Sequence, residues 1–228
     1  MNKIFWAGDS TVAHNSFLSY PQTGIGQAFP IFVKRDVLVE NHAMNGRSTK
    51  SFMDEGRLAA IEERIGEGDF LFVQFGHNDE KIADPSRYTE PFSTFQDNLA
   101  QFVETARRHG AWPVLITPLE RRCFLPDHTL GPGEHGPYVE GMKQLAQRLS
   151  VPLIDLHAKS RRVLTEMGEE QSRQLYMHLE PGKYASHPEG LTDNTHLQYA
   201  GAVTYGNCVA QGLKELGGRY AKLLIEGY

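Results

Sequence analysis

Five short apolar runs, residues 3–6, 37–39, 70–75, 113–116 and 152–154, punctuate this chain, and longer stretches of helical composition separate them. Runs this short and this continuously apolar suit strands covered on both faces. Strands that alternate with helices are joined by crossovers, which makes the sheet parallel. The expected fold is therefore α/β, a three-layer α/β/α sandwich around a central parallel sheet, doubly wound. In such sheets ligands gather outside the carboxyl ends of the strands. The residues just after each run thus carry the functional interest.

Between the runs, residues 93–108 place Phe95, Leu99, Phe102, Val103 and Ala106 at helical spacing, with Ser93 or Thr94 as a cap and Gly110 as the stop. Residues 139–149 repeat the pattern with Met142, Leu145, Ala146 and Leu149, and residues 200–216 read as a closing helix. Residues 126–137 and 180–189 are the most loop-like stretches, rich in Pro and Gly, and such loops shape clefts. Neither marks a domain boundary. A length of 228 residues suits one domain spanning 1–228 and burying roughly 70–75% of its unfolded surface.

A formal net charge of -5 gives no footprint for nucleic acid or an anionic membrane. The residues before Gly8 are too few for a signal-peptide core or a membrane span, which leads to the expectation of a cytoplasmic protein. Cys123 and Cys208 fit no zinc pattern and are expected to be reduced, structural thiols.

The first run ends in Gly8-Asp9-Ser10-Thr11, which places a hydroxyl at a strand end, and Asp193 and His196 stand far downstream in Leu191-Thr192-Asp193-Asn194-Thr195-His196-Leu197. Nucleophilic acyl transfer needs a hydroxyl, an imidazole to take its proton and a carboxylate to fix the imidazole tautomer. A helical or turn-like path would bring Asp193 and His196 to one face. Two more strand ends, Asn45-Gly46-Arg47-Ser48 and Gln74-Phe75-Gly76-His77-Asn78-Asp79, offer donors for an oxyanion. The N–H groups of Ser10 and Gly46 and the amide of Asn78 are suited to that task. Asp9 and Asp79 are expected to brace these loops through hydrogen bonds. Taken singly, each segment is also ordinary turn chemistry; four in order are not.

These segments resemble the blocks of the SGNH (GDSL-type) hydrolase superfamily, with Ser10, Gly46, Asn78 and His196 in the four named places. Together with Thr117-Pro118-Leu119-Glu120-Arg121-Arg122, His135-Gly136-Pro137-Tyr138 and Pro152-Leu153-Ile154-Asp155-Leu156-His157, they are similar to rhamnogalacturonan acetylesterases over nearly the whole chain. The resemblance implies a flavodoxin-like strand order and a Ser10–His196–Asp193 esterase that takes an acetylated oligosaccharide and needs no metal or organic cofactor. Galacturonate carries a carboxylate, which matches the planar fork of arginine, so Arg47, Arg121 and Arg122 are candidate substrate contacts, with His77 beside them. Tyr88, Phe124 and Tyr138 are candidate stacking platforms for sugar rings.

Other esterase specificities (lipase, thioesterase, xylan acetylesterase) share the same triad. A metal-dependent hydrolase built on His14, His77 and His196 lacks any recognised ligand spacing. A non-enzymatic flavodoxin-like module cradling an anion at residues 8–11 leaves Asn78 and the Asp193/His196 pair without a role.

Overall fold

In the computed structural model, which describes residues 2–133 and 135–228, the five expected strands form one parallel sheet. They are β1 (Asn2–Gly8), β2 (Val37–Asn41), β3 (Phe70–Gln74), β4 (Trp112–Ile116) and β5 (Leu153–Ile154), in the order β2-β1-β3-β4-β5. This is the flavodoxin-like order. Its winding reverses between β1 and β3, so the crevice at the carboxyl edge opens there.

The side-chain alternation of the strands separates two cores. Ile4 and Trp6 of β1, Phe70 and Phe72 of β3, and Val114 and Ile116 of β4 pack on one face with Tyr205, Val209 and Leu213. Phe5 and Ala7, Leu71 and Val73, and Leu115 pack on the other with Phe52, Phe95 and Phe102. Each such side chain, fully buried, contributes about 1.5–3 kcal/mol. Both faces being apolar is why these strands read as continuous rather than alternating runs.

Helices cover both faces: α1 (Ile25–Ala28), α2 (Thr49–Asp54), α3 (Arg57–Glu62), α4 (Thr94–Arg108), α5 (Gly136–Leu149), α6 (Leu156–Ser172), α7 (Tyr199–Leu216) and α8 (Gly218–Ala221). All five apolar residues expected on the inner face of α4 are buried. Ser93 precedes α4 without a side-chain cap, and the Thr94 hydroxyl instead accepts the Glu90 N–H at 2.8 Å. α5 begins at Gly136, earlier than its apolar pattern, with Pro137 in the first turn where a missing N–H costs nothing. The expected loop 126–137 therefore runs into this helix, and its Glu134 lies outside the described residues.

Two elements had no clear periodic signal. α6 contains Gly168 at φ 71°, a break that interrupts the helical path. Beyond it, β6 (Tyr176–Leu179) and β7 (Leu191–Leu197) form an antiparallel hairpin. The helical or turn-like path expected around Asp193 is in fact a bulged strand. Tyr176 pairs with Leu197 but the next residue, Met177, pairs with Asp193, so residues 194–196 bow out of register. No disulfide joins the two cysteines; Cys208 is buried and Cys123 exposed.

Candidate active site

The turn after β1 is tied down from below. Asp9 is fully buried, and its Oδ1 accepts the Thr11 N–H at 2.9 Å and the Thr11 hydroxyl at 2.8 Å, while Oδ2 meets His77 Nδ1 at 3.1 Å. Burial raises the Asp9 carboxyl, but His77 and Thr11 outweigh it and hold it below its ordinary value. The Asp9 carbonyl also accepts the N–H groups of Val12 and Ala13. Ser10 therefore stands on a fixed support at the carboxyl end of β1, with its hydroxyl toward His196.

The bulge of β7 brings the other two members to it. His196 Nε2 lies 3.0 Å from Ser10 Oγ, and His196 Nδ1 lies 2.7 Å from Asp193 Oδ2. Asp193 Oδ1 accepts the N–H of Thr195 at 2.7 Å and of His196 at 3.0 Å, so one carboxylate folds the bulge and orients the ring. Burial raises the Asp193 carboxyl; the His196 ring and these two N–H groups outweigh it and bring it to about 2. An ionised Asp193 accepts from Nδ1–H, which leaves Nε2 as the lone-pair nitrogen facing the hydroxyl.

Gly46 and Asn78 follow β2 and β3, the two strands that flank β1, so all three loops meet at one edge. Gly46 has φ +79°, a left-handed conformation that favours glycine, and a Cβ there would meet nothing within 4 Å. Its face is therefore open to a ligand. Asn78 is mostly buried; its Nδ2 donates to the Arg47 carbonyl at 3.1 Å, and one N–H of that amide remains to donate elsewhere. Among the described residues, no acceptor within the protein takes the N–H of Ser10 or Gly46. Asp79, fully buried, accepts from the Thr49 N–H and from the Thr49 and Thr89 hydroxyls, joining the β3 loop to the start of α2. Burial pushes its carboxyl up to about 7 against the pull of these donors. The supporting work expected of Asp9 and Asp79 is thus visible as hydrogen bonds.

The candidate substrate contacts divide. Arg47 borders a cavity of about 320 Å³ with Gly46, Glu55 and Arg87, although Glu55 already holds its Nε and Nη2 at 3.0 and 2.9 Å. His77 does not reach the crevice, since it is 3% exposed and its ring packs on His135 with centroids 4.3 Å apart. Arg121 pairs with Glu80 at 2.7 Å, and Glu80 also meets His135 Nδ1 at 2.7 Å. Arg122 is buried; its N–H and Nη1 bond the Asn194 carbonyl and side chain at 2.9 and 3.1 Å, and its Nε bonds Ser172 at 3.0 Å. These two arginines brace the walls of the site, Arg122 by clamping the bulge of β7. Tyr138 is likewise turned inward, donating its hydroxyl to the carbonyls of Asp79 and Thr89, while Phe124 lies under the Arg122 guanidinium. Arg87 escaped the sequence reading, because Asp84 to Arg87 looks like any polar turn. Among the described residues, no three His, Cys, Asp or Glu side chains are disposed to hold a metal ion, and no helix is long and apolar enough to cross a membrane.

A doubly wound sheet with a hydroxyl, an imidazole and a carboxylate in hydrogen-bonded sequence at its carboxyl edge, beside open N–H donors, is the architecture of an SGNH-type hydrolase. The chain belongs to the GDSL-like Lipase/Acylhydrolase family, whose model matches residues 7–202. It is 44% identical over 219 residues to the rhamnogalacturonan acetylesterase RhgT of Bacillus subtilis, covering 94% of this chain and 90% of that protein. It is 41% identical to the probable rhamnogalacturonan acetylesterase YesY of the same organism, covering 95% of this chain and 94% of that one. Among solved structures, Bacillus subtilis YXIM superposes with a TM-score of 0.81 at 27% identity, over all of this chain, which spans 58% of that one. A catalytic mutant of Axe2, an acetylxylan esterase of Geobacillus stearothermophilus, shares the fold at a TM-score of 0.61 and 14% identity, covering 96% and 95% of the two chains.

Proposed function

We propose that this protein is a serine esterase that removes O-acetyl groups from rhamnogalacturonan oligosaccharides through an acetyl-enzyme. The observation that carries the reading is the 3.0 Å and 2.7 Å chain from Ser10 through His196 to Asp193 in a protein so similar to a rhamnogalacturonan acetylesterase. His196 takes the Ser10 proton as Oγ attacks the acetyl carbonyl. The oxyanion that forms receives the N–H groups of Ser10 and Gly46 and the free N–H of Asn78. His196 then gives its proton to the departing sugar oxygen, the C–O ester bond breaks, and water, deprotonated by the same ring, releases acetate from Ser10.

Asn78→Ala is expected to lower kcat by roughly 10²–10³ with a smaller change in KM, because the charge that the amide meets exists mainly in the transition state. Steady-state kinetics on an acetyl ester checks this; an effect confined to KM would make Asn78 a ground-state contact.

For the substrate, Arg47 is the contact in our reading that meets the galacturonate carboxylate, sharing its fork with Glu55. Acetylated rhamnogalacturonan oligosaccharides are then preferred in kcat/KM over neutral acetylated xylan oligosaccharides. The preference shrinks with added salt, since a partly exposed ion pair is screened within about 8–10 Å. Acetate release across both substrate classes at low and high salt is the test. Equal kcat/KM for the two classes at low salt would sink the pectic assignment and leave the esterase chemistry standing.

A further inference from the structure

Asn78 is held at both ends of its amide, and only one of its two anchors is backbone. Arg87 Nη1 donates to Asn78 Oδ1 at 3.0 Å, while Asn78 Nδ2 donates to the Arg47 carbonyl at 3.1 Å. A guanidinium can only donate and a carbonyl can only accept, so this pair permits one orientation of the amide, oxygen toward Arg87 and NH₂ toward the Gly46–Arg47 loop. Arg87 is itself fixed. Its Nε donates to Asp84 Oδ2 at 2.6 Å, and Asp84 Oδ1 receives the Ser86 N–H at 3.1 Å and the Ser86 hydroxyl at 2.5 Å. Asp84, Ser86 and Arg87 thus form a rigid turn within the same β3 loop, and Arg87 N–H closes it on the Asp84 carbonyl at 3.0 Å.

We propose that Arg87 is a positioning residue for catalysis, which aims and polarises the Asn78 amide so that its free N–H is ready for the oxyanion. This rests on the reading of Asn78 as an oxyanion donor. Two effects act together. An amide whose oxygen is bonded to a cation is a stronger N–H donor, since bonded groups polarise one another. A side chain pinned at both ends also loses little freedom when the oxyanion forms, and small displacements of catalytic groups carry large kinetic penalties. The guanidinium is about one-third exposed and sits on a surface loop, so its removal leaves no buried charge unpaired.

The test uses a small neutral acetyl ester, so that a carboxylate-binding role of Arg87 stays silent. Arg87→Met should lower kcat about tenfold with KM changed less than about twofold, and Arg87→Lys, which keeps one donor of positive charge, should recover most of the loss. The decisive arm is the double variant. With Asn78→Ala already in place, Arg87→Met should cost less than about twofold more, because the group it aims is gone. Thermal melts of each variant confirm that folded protein is being compared, and Arg87→Lys keeps the test open if Arg87→Met folds poorly. Full multiplication of the two losses, or an effect of Arg87→Met and Arg87→Lys on KM alone, would overturn the proposal while leaving the oxyanion role of Asn78 intact. An Asn78→Ala enzyme with undiminished kcat would instead bring down the oxyanion reading, and this proposal with it.

Discussion

Ser10→Ala is expected to lower kcat/KM for an acetyl ester by at least about a thousandfold while the protein keeps its fold. The kinetic loss follows from chemistry, because alanine has no oxygen to attack the acetyl carbonyl and no acetyl-enzyme can form. What remains is whatever the oxyanion donors achieve with a bound water. The fold survives because the turn is built by its neighbours: Asp9 holds Thr11, Val12 and Ala13, and the Ser10 hydroxyl contributes only its contact with His196. Deleting one oxygen that borders an open crevice leaves no buried donor stranded. Kinetics paired with a thermal melt checks both halves; near-normal turnover by the folded variant would remove Ser10 from the mechanism.

Asp193→Asn is expected to cost roughly 10³–10⁴ in kcat, although it replaces only one carboxylate oxygen by an NH₂ group. The reason is the tautomer. The Asp193 carboxylate accepts from Nδ1–H and leaves the Nε2 lone pair toward Ser10, 3.0 Å away. An asparagine amide turned to keep its oxygen on the Thr195 and His196 N–H groups presents NH₂ to Nδ1. The ring must then accept at Nδ1 and carry its proton on Nε2, where it cannot act as the base. The same substitution has a signature in stability. Asp193 has its folded value depressed to about 2 from 3.8. A depressed carboxylate contributes stability that is present above its unfolded value and lost as pH falls through its folded one. That acid-dependent loss between about pH 4 and 2 should be smaller in Asp193→Asn, as urea midpoints across this range will show. A variant with wild-type kcat would mean that the ring takes its orientation from elsewhere.

The middle of the sheet was legible because β1, β3 and β4 are buried on both faces, so Ile4 to Ala7 and Phe70 to Val73 stand out as unbroken apolar runs. The meeting of Ser10, Gly46 and Asn78 was legible because the parallel sheet puts the residues after β1, β2 and β3 on one edge. The path of the hairpin was not. Its geometry depends on a register slip at Met177 and on Asp193 folding back onto two N–H groups, neither of which leaves a periodic trace. The arginines were misplaced for a related reason. Arg47, Arg121 and Arg122 look alike in sequence, yet Arg122 turns inward to grip Asn194 and Arg121 turns to Glu80, partners that lie 72 and 41 positions away. Whether a basic side chain faces water or the core is decided by such distant partners. Arg87 was missed for the converse reason: its role depends on Asn78, which only the fold of the β3 loop brings opposite it.

The central claim, that Ser10 is the nucleophile of an acetyl esterase acting on rhamnogalacturonan, is tested most directly by titrating the enzyme with a fluorophosphonate. Residual acetate release from acetylated rhamnogalacturonan oligosaccharides is followed together with the site of labelling by peptide mass spectrometry. The account predicts one label per chain, on Ser10, with activity lost in proportion to labelling. Full acetate release from an enzyme labelled stoichiometrically at Ser10, or complete inactivation with Ser10 unlabelled, would contradict it.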